Sequence, residues 1–164
     1  MKTQIGFTLI ELMVTMAIAM ILTMWAVPNM RNVLLNNRIT AKTNEFIRTI
    51  HYVKNETITR NNNGLVIQPF DSATWNSGWK IVDSDDKDFK VFPSKEKGIV
   101  IKEVCDQNAI FFLSRGWTAS RYNFVVSHDE HSTGRIIAIA RTGRVKSERC
   151  SVNSGGCNVP CNND

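Results

Sequence analysis

Several groups of side chains in this sequence have the types and spacing to do chemistry. His128-Asp129-Glu130-His131 sets imidazoles and carboxylates side by side, and on a helix such a set could gather on one face around a metal. It lies between strand-like runs, however, and leads into Ser132-Thr133-Gly134. A polar turn is therefore expected, and no metal site. Asp83-Ser84-Asp85-Asp86-Lys87-Asp88 has the acidity of a calcium loop but lacks the central glycine, and reads as an acidic hairpin tip. Ser114 has no recognisable base, and no glycine-rich phosphate loop or nucleophile elbow occurs. The expectation is a protein that is not an enzyme and holds no cofactor.

The segment from Arg135 to Arg149 is different, because it concentrates Arg135, Arg141, Arg144, Lys146 and Arg149 in two strand-like runs around Thr142-Gly143. This spacing predicts a hairpin with a two-residue loop, its glycine at positive φ. In that register Arg141 and Arg144 face each other, and Lys146 shares the face of Arg144. Like charges directly opposite destabilise by some tenths of a kcal/mol, roughly, and an anion such as phosphate would relieve the repulsion. The plainer alternative is a solvated edge hairpin kept soluble by its charges. Few aromatic residues interleave, so stacking on bases is not expected. Arg115 and Arg121 are candidates to extend the patch, but sequence alone does not place them.

Cys105, Cys150, Cys157 and Cys161 lack the paired spacing of a zinc site. An even number of cysteines suggests two disulfides, with three possible pairings, in an oxidising compartment such as the periplasm. The pairing expected here joins Cys105 to Cys150 at strand ends, with Cys157 and Cys161 closing a small proline-containing loop. The whole chain of 164 residues is 43% hydrophobic with a formal net charge of +5. That excess is too small to name a partner by itself.

These groups must be held by something, and the start of the chain supplies it. From Phe7 to Val27 the only polar side chains are Thr8, Glu11, Thr15 and Thr23, a run long enough to cross a hydrocarbon core of roughly 30 Å as a helix. Glu11 is costly there and implies a partner. A secretory signal peptide would have a shorter apolar core followed by its cleavage site; here a cut after Gly6 would leave the run on the mature chain. Beyond Pro28 the apolar residues Leu35, Ile39, Phe46, Ile50 and Val53 fall on one helical stripe. One helix bent at Pro28 would reach from Phe7 to about Arg60, roughly 80 Å, and stop at Asn61-Asn62-Asn63-Gly64. Trp25 is placed for the headgroup level.

After Gly64 the period shortens. Residues 65–68, 79–82, 89–92, 99–104, 109–113, 122–126, 135–140 and 145–148 read as strands of antiparallel sheet. The organisation expected is a leader (1–6), a transmembrane helix (7–28), its periplasmic continuation (29–60) and one β-rich domain with a cysteine-rich tail (61–164). The fold class is α+β, a long N-terminal helix laid on antiparallel sheets.

The leader Lys2 and the motif Gly6-Phe7-Thr8-Leu9-Ile10-Glu11 resemble those of type IV prepilins and type II secretion pseudopilins, and Pro28 falls where pilin helices bend. The resemblance implies a pilin-like fold, cleavage after Gly6 by a prepilin peptidase, N-methylation of Phe7, and an inner-membrane anchor whose N-terminus is cytoplasmic before cleavage. It also implies assembly with other pilins or pseudopilins, with Glu11 near the amine of Phe7 on a neighbouring subunit, setting the stagger. Ser114-Arg115-Gly116 and the run from Arg135 into Gly143-Arg144-Val145-Lys146 further resemble the GspH/FimT group. Within that group, minor pilins of natural transformation carry a Gly-Arg-x-Arg element that contacts DNA. Lys146 stands where that pattern has arginine; it neutralises a phosphate but lacks the guanidinium fork. The implied function is a minor type IV pilin binding double-stranded DNA through the hairpin, with a pseudopilin of the type II secretion system as the alternative. A membrane-tethered hydrolase would rest on His128 to His131 alone.

Overall fold

A computed structural model describes residues 6–60, 65–71, 74–83, 87–94, 97–105, 107–130, 132–152, 157 and 159, without the side chains of Trp25, Pro28, Asn29 and Arg60. One helix, α1 (Leu9–Arg60), begins the fold. Its start is fixed by Thr8, whose Oγ1 accepts the Glu11 N–H at 3.3 Å. Thr8 is thus the N-cap and Glu11 occupies the third helical position, where a carboxylate also faces the positive end of the helix dipole. The chain divides into two compact units, Met1–Leu35 and Asn36–Asp164.

In the first unit the apolar side chains of α1 as far as Met24 are uncovered on every side, with Glu11 the charged exception: Met24 is 81% exposed, Leu9, Ile10, Met13, Ile18, Ile21 and Leu22 are also exposed, and Phe7, just ahead of the helix, is 82% exposed. Its threonines do not need water. Thr15 Oγ1 donates to the Leu12 carbonyl at 2.9 Å and Thr23 Oγ1 to the Ala19 carbonyl at 2.8 Å, so the helix satisfies them itself. Among the described residues no helix is long and apolar enough to cross a membrane. The expected sites of Trp25 and of a bend at Pro28 concern side chains outside the described set, as do the leader residues 1–5 and the stop at 61–64. The α1 backbone is helical through position 28.

The second unit is built on the outer stretch of α1. Ile39, Phe46, Ile50 and Val53 in that stretch are buried, as is Leu35, the last residue of the first unit, the stripe expected from their spacing. Two antiparallel sheets receive it. β1 (Val66–Asp71), β2 (Thr74–Val82), β3 (Asp88–Pro93) and β5 (Ile110–Phe111) form one, in the order β3-β2-β1-β5. β4 (Ile99–Glu103), β6 (Tyr122–His128), β7 (Thr133–Ile139) and β8 (Val145–Ser151) form the other, in the order β4-β6-β7-β8. Each strand-like run of the sequence contains one strand. The α+β class, a long helix with antiparallel sheets, is what the chain adopts. β2 begins earlier than expected and carries Asn76-Ser77-Gly78, turn formers by type, within it; Gly78 lies at φ 107° opposite Pro93. Asn76 Oδ1 then accepts the Ile101 N–H at 2.8 Å and joins β2 to β4.

Phe46 closes the core. Its ring meets Trp79 at 4.8 Å and Trp75 at 5.8 Å, both from β2, and Phe124 at 4.9 Å from β6, all edge to face. Trp79 is also held from the helix: its Nε1 donates to Thr49 Oγ1 at 3.2 Å, and the buried Lys42 ammonium lies 4.8 Å from its ring centroid while paired to Glu45 at 2.9 Å. Replacing Phe46 with alanine should cost about 3–5 kcal/mol of unfolding free energy, read as a lowered urea midpoint.

Tyr122, on β6, is buried, and its hydroxyl accepts the Phe111 N–H at 3.3 Å. Burial raises its phenol above the usual value; the Phe111 bond opposes the rise, and the nearby Glu103 charge adds to it. A raised folded-state value favours the protonated form, so this stabilisation is present below about pH 10 and is lost as pH rises above it. Tyr122→Phe should therefore lose less stability than the parent between about pH 9 and 11, in melting curves across that range.

Candidate functional site

The basic hairpin is built by β7 and β8, which pair with Ile139 opposite Val145 and Thr133 opposite Ser151. At the tip the Ala140 N–H donates to the Arg144 carbonyl at 3.0 Å and the Gly143 N–H to the Ala140 carbonyl at 2.8 Å, with Gly143 at φ 70°. Arg141-Thr142-Gly143 is therefore a three-residue loop ending in a glycine bulge, not the two-residue loop expected. Thr142 explains the difference. A two-residue turn of the primed type needs positive φ at its central positions, which a β-branched residue resists; the longer loop leaves that conformation to Gly143 alone. Arg144 consequently opposes Ala140 and not Arg141.

The bulge is held tightly. Lys54 Nζ on α1 donates to the Gly143 carbonyl at 2.9 Å. Thr118 donates its N–H to the Arg141 carbonyl at 2.8 Å and its Oγ1 to the Ala140 carbonyl at 3.0 Å. Gly143 also presses on a second glycine turn, for a Cβ there would lie 2.1 Å from the Gly116 carbonyl oxygen.

This register sorts the cations by face. Ala138 lies between Asn123 of β6 and Lys146 of β8, and Arg121 just before β6 reaches the same surface. Arg121, Asn123, Arg144 and Lys146 surround an open cavity of ≈ 550 Å³ floored by Ala138 and Ala140, with Val159 of the tail on its wall. The Lys146 ammonium is ion-paired to Glu148, two residues along the same face. Arg135 and Arg149 oppose each other directly, but on the other face, the one that carries buried Ile137 and Ile139. The expected cluster of five is thus divided: Arg144 and Lys146 stand together, Arg135 and Arg149 stand together, and Arg141 is in the loop. Arg115 is exposed in the turn before Gly116, outside the cavity lining. Sequence reading missed Lys54 as the clamp, Glu148 as a competitor for Lys146, and the place of Arg121. The last needs the β6–β7 register, which no local pattern carries.

The other candidate residues lie apart. His128 is buried at the end of β6, its Nδ1 accepting the Glu130 N–H at 3.1 Å; among the described residues no group of side chains is placed to hold a metal, and His131 lies outside them, as do residues 84–86 of the acidic tip. Cys150 is bonded to Cys157, with Cα atoms 5.8 Å apart, and Cys105 is disulfide-bonded as well. The expected pairings of Cys105 with Cys150 and of Cys157 with Cys161 are therefore both corrected: Cys150 lies within β8, and its partner is Cys157, seven residues further on. Cys161 is outside the described residues. At the other end of the chain, Gly6 and Phe7 are exposed ahead of α1, and among the described residues nothing pairs with the Glu11 carboxylate.

Gly143→Ala should destabilise the domain by at least about 1–2 kcal/mol, since alanine resists positive φ and meets the Gly116 carbonyl. Lys54→Met should cost about 1 kcal/mol through the lost hydrogen bond. Urea denaturation of both variants checks the order.

Comparison with known proteins adds the following. The family model of the prokaryotic N-terminal methylation motif matches residues 1–27, and that of type II transport protein GspH matches residues 42–143. Among curated proteins none matches the chain. Among solved structures the chain is similar to the type IV minor pilin FimU of Pseudomonas aeruginosa strain PAO1. One crystal form aligns at 17% identity and TM-score 0.62 over 77% of this chain and 96% of that one; a second aligns at 17% and 0.59 over 74% and 98%. The likeness is one of fold.

Proposed function

We propose a function from one premise: the chain belongs to the family of type II transport protein GspH. It is a minor pilin of a type IV pilus. It is made as a prepilin, cut after Gly6 by a prepilin peptidase, methylated at Phe7, and held in the inner membrane by residues 7–28, with its globular domain in the periplasm and later on the pilus surface. The observation that carries this reading is α1 itself. One continuous helix buries its outer stretch in the domain and leaves its first stretch apolar on every side, with its threonine hydroxyls satisfied internally. Such a surface calls for lipid and then for neighbouring helices. Glu11 is the exception, and the amine of a neighbouring subunit's first residue would neutralise it.

The cavity between Arg121 and Arg144 supports a finer reading, in which this face binds double-stranded DNA through its phosphates during uptake. Two exposed guanidiniums and Lys146 around an alanine floor suit a sequence-independent backbone contact. The alternative is a pseudopilin of the type II secretion system, sharing anchor and fold but touching other pseudopilins. Deleting the gene separates the two: loss of transformation or piliation supports the pilus, and loss of exoprotein secretion supports the alternative.

Glu11→Ala should leave cleavage after Gly6 intact and sharply reduce recovery of the chain in sheared filaments; unchanged recovery would refute the role of that carboxylate. Reversing Arg144 and Lys146 to glutamate should abolish retention of mixed-sequence duplex DNA by the detergent-solubilised chain. For the parent, affinity should fall with salt at a log–log slope of about −2 to −3, as expected for two or three phosphate contacts.

A further inference from the structure

We propose that the cavity on the solvent face of β6, β7 and β8 takes one unpaired nucleobase, so that DNA with a base out of its helix is held more tightly than intact duplex. It rests on the reading of this face as a DNA contact. The strand register shows how the cavity arises: Ala138 on β7 stands between Asn123 of β6 and Lys146 of β8. Two residues along, Ala140 stands between Arg121, which precedes Tyr122 opposite Ile139, and Arg144, whose carbonyl accepts the Ala140 N–H at 3.0 Å. The central strand thus contributes two methyl groups where the strands beside it contribute long polar side chains. The backbones of β6 and β8 lie about 10 Å apart across β7, so the alanines form the floor of a trough and the flanking side chains its walls. In the next row Ile136 stands between Val125 and Glu148, and there the floor rises again.

Contact with phosphates alone needs no such recess. Its volume of ≈ 550 Å³ falls within the range of about 300–1,000 Å³ in which proteins enclose small organic ligands, and those sites too are mostly apolar with a few polar groups. Here the apolar part is Ala138, Ala140 and Val159, and the cations Arg121, Arg144 and Lys146 line the same space. That pairing matches a nucleotide, a flat ring with apolar faces joined to a negative phosphate. Lys146 is held by Glu148, whereas among the described residues neither Arg121 nor Arg144 is ion-paired, which leaves the two arginines for the phosphates beside the base. In intact duplex every base is stacked and paired, and drawing one out costs free energy that a bulge or a single strand does not require. Burial of the ring against the alanines then appears as a preference for the unpaired base. No aromatic side chain is among the described lining residues, so the gain comes from apolar burial and does not depend on which base enters.

The test uses the full chain in dodecyl maltoside micelles and fluorescence anisotropy with a mixed-sequence duplex, the same duplex with a one-base bulge, and the same duplex with an abasic site at the bulge. The bulged duplex should bind about tenfold more tightly than the intact one, whichever base is unpaired, and the abasic bulge no more tightly than the intact duplex. Ala138→Ile repeats the residue at position 136, suits a strand, and raises the floor; it should bring the ratio of bulged to intact affinity to about one. Equal affinity of the parent for bulged and intact duplex would overturn the base site, and so would an abasic bulge that keeps the preference or a preference that survives in Ala138→Ile. In each of those cases binding of the intact duplex leaves the DNA reading standing. The comparison of base and abasic bulge is made on the parent and decides the matter whatever the variant does. Retention of none of these DNAs by the parent would overturn the DNA reading, and the base site with it.

Discussion

The structure depends on the contact of Phe46 with aromatic rings from both sheets. Trp75 and Trp79 come from β2 in one sheet and Phe124 from β6 in the other, and Phe46 is the α1 residue that meets all three. The sheets are linked by the bond from Ile101 to Asn76, by that from Phe111 to the Tyr122 hydroxyl and by the contact of Trp75 with Phe124 at 4.9 Å, and both pack on the helix. α1 contributes Ile39, Phe46, Ile50 and Val53 to the core of that domain. The helix therefore cannot act as a detachable tether: whatever fixes its first stretch, lipid or neighbouring subunits, is continuous in the backbone with the centre of the globular unit.

The same helix sets the far end of the candidate site. Lys54, two turns beyond Phe46, donates to the carbonyl of Gly143, and Gly143 rests on the Gly116 turn, where a Cβ would meet Ile58 of the helix. The tip that presents Arg144 is thus fixed by helix, loop and hairpin together. Its conformation is chosen by one pair of residues: Thr142 resists the two-residue turn, and Gly143 accepts the bulge. A one-residue difference in the loop moves Arg144 from opposite Arg141 to opposite Ala140. The result exchanges a repelling arginine pair for a cavity with a small apolar floor.

Much of the fold is legible in the sequence because burial writes a period. Leu35, Ile39, Phe46, Ile50 and Val53 recur at helical spacing and are all buried, and every strand-like run contains a strand. Thr8 and Glu11 also mark the helix start, in the spacing of a capping box. What local pattern does not carry is register and long-range pairing. Arg121 joins Arg144 only through the alignment of β6 on β7. Arg135 and Arg149 separate from Arg144 only once odd and even positions are assigned to faces. The bond between Cys150 and Cys157 depends on where β8 ends, and spacing alone left three pairings open. Lys42 illustrates the limit from the other side: a charge at the margin of the apolar stripe is buried because Glu45 and the Trp79 ring receive it.

On the proposed reading, a cut after Gly6 leaves Phe7 just ahead of the capped helix start, with its new amine one turn from Glu11. The measurement that reaches this most directly is the intact mass and N-terminal sequence of the chain recovered from sheared pili. The account predicts a chain that begins at Phe7 and carries one methyl group on its amine. Recovery of the chain only from membranes, still beginning at Met1 and absent from filaments, would contradict it.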